Sequence, residues 1–203
     1  MPRELNARED DLLRRAVRGD EDSFLQIYRA HQATLYRYAL RMTGRTWTAE
    51  EMVQEVFLTL LRESGRFDPS RGALGAFLFG IARNHVRKHL ERSPNELPLD
   101  ESGELPEAGS AIHRSDGNRL ANPAVWTEQR QRSEQLRRAI LEIPEEFREA
   151  IVLCDLEELS YEAAAHLLGC PIGTVRSRLH RGRALLMARM EILRERPRKA
   201  AAP

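Results

Sequence analysis

At 203 residues the chain has room for one large domain or two small ones, and each half can bury a modest core if it is mostly helical. A hydrophobic fraction of 41% beside a charged fraction of 31% argues against a disordered or membrane-embedded protein, and a Leu/Ala/Arg/Glu bias with few aromatics favours helix. The net charge of +1 conceals segregation: acids outnumber bases from Glu96 to Glu128, whereas Ile172 to Arg183 holds four arginines and no acid.

No apolar run approaches the roughly 20 residues that span a bilayer, and the start of the chain lacks the layout of an export signal, so a cytoplasmic protein without membrane insertion is expected. Cys154 and Cys170 form no CxxC pair, which signals neither a disulfide framework nor a zinc site; both read as small buried apolar residues.

In chain order, a short helix around Leu12, Leu13, Ala16 and Val17 ends at Gly19. A long amphipathic helix follows from Asp20 to Gly44, with Phe24, Ile27, Tyr28, Leu35, Tyr38 and Met42 at helical spacing. Thr48 and Glu51 make a capping box for a third helix, whose stripe is Val53, Val56, Phe57, Leu60 and Leu61. Its other face shows Glu50, Glu51, Gln54, Glu55 and Arg62 to solvent or to a partner. After a turn at residues 66–72, Leu74, Phe77, Leu78, Ile81, Ala82, Val86 and Leu90 resume the stripe, and Phe77 is assigned to the core.

From 93 to about 123 the periodicity vanishes among prolines, glycines, acids and serines, which predicts a flexible acidic linker. Beyond it, Leu136, Ala139, Ile140 and Ile143 mark a helix that Pro144 ends, and Pro144 opens another through Phe147, Ile151 and Cys154. Ser160 caps a short helix ending at Gly169, Cys170-Pro171 makes a turn, and a long helix runs from Ile172 past Met190. Two helices around a short glycine-containing turn are a helix-turn-helix. The fold class is therefore all-α, with small helical domains at 9–92 and 126–193 and a linker at 93–125.

In the last helix Val175, Leu179 and Leu186 fall toward the core while Arg176, Ser177, His180 and Arg181 project together on another face. An arginine fork can donate two hydrogen bonds to guanine O6 and N7. Arg178 and Arg183 flank that face and suit phosphates. A solvated basic helix has the same charge pattern; the capped helix and turn before it favour DNA. Gly182 is an oddity, since glycine inside a helix costs about 1 kcal/mol relative to alanine. The basic tail at 194–199 reads as a frayed terminus.

The run from Cys170 to Arg181, with Ile143 to Arg148 and Leu159-Ser160-Tyr161 upstream, closely resembles region 4 of the extracytoplasmic-function sigma factors, a class of the sigma-70 family. Independently, Glu51 to Phe57, Arg66 to Gly72 and Phe77 to Asn84 resemble region 2 of the same family. The resemblance implies a division of labour: region 2 docks on the clamp of core RNA polymerase and opens the −10 element, and region 4 reads the −35 element as duplex. It implies that Glu51, Gln54, Glu55 and Arg62 form the polymerase-binding ridge, although a solvated helix face would share the pattern. It places Phe67, Phe79 and Asn84 where the family holds bases of the single-stranded −10 element. Arg83, Arg87 and Lys88, on the polar side of that helix, can follow the backbone. The chain departs from many relatives, which carry an acid at the position of Lys88. His85 and His89 stand at i, i+4 without an evident third ligand, and a surface or core-edge role is expected of them rather than a metal.

The resemblance thus implies a promoter-selecting, non-enzymatic protein that needs no cofactor, with core RNA polymerase, promoter DNA and an anti-sigma factor as partners. The competing reading is a conventional helix-turn-helix regulator that acts without polymerase docking, and the Gln54-Glu55 ridge and the basic helix after Phe67 weigh against it. An enzyme lacks support, since no phosphate-binding loop, convergent acid/base set or Gly-x-Ser-x-Gly turn is present.

Overall fold

A computed structural model describes the backbone of residues 2–70, 72–92 and 123–200, and the side chains of 7–70, 72–92 and 132–193. The linker expected at 93–125 therefore lies almost wholly outside the described residues, as do the side chains of the basic tail at 194–199. The chain divides into two units, Met1–Leu105 and Pro106–Pro203, and every regular element among the described residues is helical.

The first unit packs α1 (Pro2–Val17), α2 (Glu21–Thr43), α3 (Thr46–Arg62) and α4 (Leu74–Arg92) around one core. Helix α2 starts and stops where its sequence says. The Asp20 carboxylate accepts from the Ser23 N–H at 3.3 Å and from its hydroxyl at 2.7 Å, satisfying an otherwise orphaned donor. Those bonds, and one from Arg15, hold the Asp20 carboxyl below the usual aspartate value. At the other end Gly44 turns left-handed, with φ +75°, and its N–H reaches the Leu40 carbonyl at 2.7 Å.

Helix α3 corrects the expectation of a capping box. It begins at Thr46, its N-cap Arg45 makes no side-chain capping bond, and Thr48 is buried. With Thr48 and Ala49 packed in the interior, the helix starts three residues, most of a turn, upstream of the local signal. Tyr38, Ile27, Leu35, Met42, Val56, Leu60, Leu74 and Leu78 are fully buried, each apolar one contributing about 1.5–3 kcal/mol. Phe24, Tyr28 and Phe57 meet at centroid distances of 4.8 to 6.1 Å and close one side of this core.

The second unit contains α5 (Pro123–Leu141), α6 (Glu145–Ile151), α7 (Tyr161–Leu168) and α8 (Ile172–Ala200). Arg148 joins the first two: its guanidinium donates to the carbonyls of Leu141 at 2.6 Å and Ile143 at 3.0 Å, groups that the end of α5 leaves without helical partners. The helix expected to run through Cys154 instead widens after Ile151 into a π-turn, Val152–Leu156, in which the Glu157 N–H reaches back to the Val152 carbonyl. Cys154 and Cys170 are both free thiols and only half-buried, not buried as expected.

The helix-turn-helix proper is α7, residues 169–171 and α8. The Ser160 hydroxyl accepts from the Ala163 N–H at 3.1 Å, and Gly169 (φ +63°) terminates α7 with Cys170 N–H on the Ala165 carbonyl and Gly169 N–H on that of His166. This Schellman pair fixes the angle at which α8 leaves the turn. Ala164, Leu168, Val175 and Leu179 bury the inner surfaces of the two helices, and Leu186 is only half-buried.

Candidate nucleic-acid interface

Burial of Val175 and Leu179 fixes the rotation of α8 and turns Arg176, Ser177, His180 and Arg181 outward, all four exposed. The Ser177 hydroxyl is turned back onto the Thr174 carbonyl at 2.9 Å. Arg176 is not loose: its guanidinium carbon lies 5.9 Å from the centre of the Tyr161 ring, within cation–π range.

The two flanking arginines, expected to suit phosphates, are each paired with an acid of the same unit. Arg183 grips both carboxylate oxygens of Asp155, at 2.9 and 2.6 Å. These bonds raise the Arg183 pKa above its ordinary value. Its fork is spent on fixing α8 to the π-turn, and a bidentate pair of this kind is among the stronger side-chain interactions. Arg178 is half-buried, 3.5 Å from Glu146 at the start of α6.

Gly182, the sequence oddity, sits where α8 crosses α6. A Cβ there would stand 2.9 Å from Ile151 Cδ1 and 3.2 Å from the Phe147 carbonyl oxygen, so an added methyl would crowd the crossing.

In the first unit, α4 exposes Asn84, Arg87 and Lys88 along one face, with Arg83 half-buried at its margin. Arg87 lies 3.3 Å from Glu91 on the same helix. The aromatic assignments exchange places. Phe79 is buried, 9% exposed, with its ring edge-on to Tyr38 at 5.5 Å, so it is a core residue rather than a base platform. Phe77, expected in the core, is half-buried on the helical face that carries Asn84 and Lys88, and its ring meets Phe67 at 5.6 Å. The aromatic member of this face is thus the Phe67–Phe77 pair. His85 lies between α3 and α4, its Nε2 3.5 Å from the Thr59 hydroxyl, and burial lowers its pKa below the ordinary histidine value. Among the described residues no group of three His, Cys, Asp or Glu side chains is placed to hold a metal, and no helix is long and apolar enough to cross a membrane.

On α3, Glu51, Gln54 and Arg62 are exposed and Glu55 is half-buried. The structure adds two residues that the sequence reading passed over. Trp47, 73% exposed, and Leu58, 42% exposed, fall on the same helical stripe as Glu51 and Gln54. An indole on an otherwise polar stripe was the available signal. Tyr161 was passed over as well, because nothing in local spacing announces its contacts with α8.

Two family profiles match this chain: "Sigma-70 region 2" over residues 27–94 and "Sigma-70, region 4" over residues 133–186. The chain is 34% identical over 164 residues to the ECF RNA polymerase sigma factor SigE of Mycolicibacterium smegmatis, covering 81% of this chain and 60% of that relative. It is 30% identical over 194 residues to the RNA polymerase sigma-H factor of Pseudomonas aeruginosa, covering 92% and 96%. The sigma factor RpoE of Bartonella quintana, solved in complex with the anti-sigma factor NepR, is similar in structure with a TM-score of 0.59 and 27% identity, over 83% of this chain and 97% of that one.

Proposed function

The chain belongs to the extracytoplasmic-function class of the sigma-70 family, and from that premise we propose that it docks on core RNA polymerase through α3, reads a −35 element with α8 and captures the opened −10 strand on α4. The observation that carries the proposal is the presence, in one chain and in order, of both family regions, each with an exposed face chemically suited to its task.

Promoter choice starts with duplex. Arg176 and Arg181 present N–H forks toward guanine edges, each good pair contributing about 1–3 kcal/mol of discrimination, and His180 and Ser177 complete the reading face. Opening requires no cofactor. Unstacking costs a few kcal/mol per base, and stacking on an aromatic surface returns about 1–3 kcal/mol per base while cations hold the strand. Phe67 and Phe77 supply the aromatic surface; Asn84, Arg87 and Lys88 supply the polar one. The polymerase contact pairs the Glu51, Gln54, Glu55 and Arg62 ridge with a basic surface, and Trp47 and Leu58 place an apolar anchor within it.

The chain carries no catalytic step of its own; polymerisation belongs to the enzyme it guides, and it acts where that enzyme does, in the cytoplasm. The relative solved in complex with the anti-sigma factor NepR supports an anti-sigma partner for this chain. A duplex-binding comparison separates this reading from that of a stand-alone helix-turn-helix regulator. Core polymerase carrying the chain should bind its promoter far more tightly than the chain alone and should render bases of the −10 element reactive to permanganate. Equal affinity and specificity without polymerase, with no opened bases, would establish the regulator instead.

A further inference from the structure

Within the reading face, Arg176 is the arginine whose position is set by another helix. Tyr161, the first residue of α7, puts its ring 5.9 Å from the Arg176 guanidinium carbon. About two turns further along α8, Arg183 is clamped on Asp155 at 2.9 and 2.6 Å, which ties α8 to the π-turn. The Tyr161 contact thus crosses from α7 to a helix that is held in place. It ends on a side chain that is otherwise exposed.

An exposed arginine surrenders considerable rotamer freedom when it docks on a base, and that loss subtracts from discrimination. A ring beneath the guanidinium removes part of that freedom before DNA arrives. It does so without consuming donors, since a cation–π contact engages the delocalised charge, whereas guanine O6 and N7 are met by the N–H edge. The geometry of Arg178 and Arg183, whose donors face carboxylates, offers no such readiness.

We propose that Tyr161 is a specificity-determining positioning residue: its ring preorganises Arg176 for a single base pair of the upstream promoter element. Tyr161 does this without itself reading a base. The inference rests on the duplex-reading role given to α8, and the test separates the two.

The holoenzyme is formed with wild-type chain, with Arg176→Ala, with Tyr161→Leu, with Tyr161→Phe and with the Tyr161→Leu/Arg176→Ala pair. Each is titrated against a promoter selected by the wild-type holoenzyme and against every single-base change in its upstream element. The Arg176→Ala variant identifies the base pair that Arg176 reads. At that pair, and not at the others, Tyr161→Leu should lower discrimination about two- to five-fold, the range of an exposed cation–π contact. Tyr161→Phe keeps the ring and should keep the discrimination. In the paired variant, loss of Tyr161 should remove nothing further. The slope of affinity against salt should be the same for Tyr161→Leu as for wild type, because no phosphate contact is lost.

Discrimination unchanged in Tyr161→Leu, an equal loss in Tyr161→Phe, or a loss spread evenly over all base pairs would overturn the proposal while leaving α8 as the reading helix. If Arg176→Ala itself alters no base preference, the reading face is misassigned and the proposal falls with it. Melting curves of the Leu variant guard against a collapsed module, and the Phe variant tests the ring even if the Leu variant melts early.

Discussion

Replacing Gly182 with alanine should destabilise the second unit even though alanine is the better helix former. In an open helical position that exchange gains about 1 kcal/mol. At position 182 the new methyl would lie 2.9 Å from Ile151 Cδ1, 3.2 Å from its Cγ1 and 3.2 Å from the Phe147 carbonyl oxygen. The Ile151 side chain is fully buried and the other neighbour is backbone, so the methyl forces Ile151 to shift within the core and the α6 backbone to give by a few tenths of an ångström. Overpacking of this kind costs about 1–3 kcal/mol, which leaves a net loss of about 1 kcal/mol, or about 4–8 °C in the melting temperature of a unit this size. Gly80 in α4 is the matched control, because a methyl there meets nothing within 4 Å, and Gly80→Ala should raise the melting temperature of the first unit. Thermal unfolding of the full chain, followed by circular dichroism, measures both. Ile151→Val removes the Cδ1 atom at the clash, so the Gly182→Ala/Ile151→Val pair should be more stable than the sum of the two single effects. Gly182→Ala melting at or above wild type, or strict additivity in the pair, would refute the packing argument.

Other outcomes follow from single contacts. His85 is held below the ordinary histidine pKa chiefly by burial, with Glu55 opposing and Lys88 reinforcing the shift. The unfolded chain therefore binds the proton more readily than the folded one. The stability His85 contributes is complete above about pH 6.5 and is lost as pH falls through the folded value. Subtracting the melting profile of His85→Gln from that of wild type between pH 5 and 8 should reveal this slope, and parallel profiles would exclude it. Arg148→Met strands the carbonyls of Leu141 and Ile143 and should cost about 1–3 kcal/mol in denaturant titrations; a neutral result would show that water serves them equally well. Trp47→Ala should leave melting within about 0.5 kcal/mol of wild type, since the side chain is 73% exposed, yet weaken competition for core polymerase more than about tenfold. Undiminished competition would remove Trp47 from the contact surface.

Elements whose ends are written in local chemistry were legible in the sequence. Asp20 and Gly44 bracket α2, and Ser160 and Gly169 bracket α7, because a capping oxygen and a left-handed glycine act within a few residues of themselves. Where long-range packing decides, the sequence misleads. Thr48 has the neighbours of a cap, yet it is buried and the helix starts at Thr46. Phe77 and Phe79 stand two positions apart and so on opposite sides of α4: Phe79 joins Leu78, Ala82 and Val86 and meets the Tyr38 ring, while Phe77 falls with Asn84 and Lys88. Arg178 and Arg183 look like free cations on a basic helix, but their acids, Glu146 and Asp155, come from elements earlier in the chain. Gly182 was visible as an anomaly, and its reason is the Ile151 side chain across the helix crossing. The exposed face of Arg176, Ser177, His180 and Arg181 was readable because Val175 and Leu179 set the rotation of α8 from within the same helix.

Run-off transcription from a randomised promoter library, with core RNA polymerase and this chain as the only initiation factor, tests the central claim most directly. Transcripts that depend on the chain should share two sequence elements a fixed distance apart. Arg176→Ala and Arg181→Ala should relax the upstream element while the downstream one is retained. A polymerase that starts nowhere new when the chain is added, or whose start sites share no common sequence, would contradict the account.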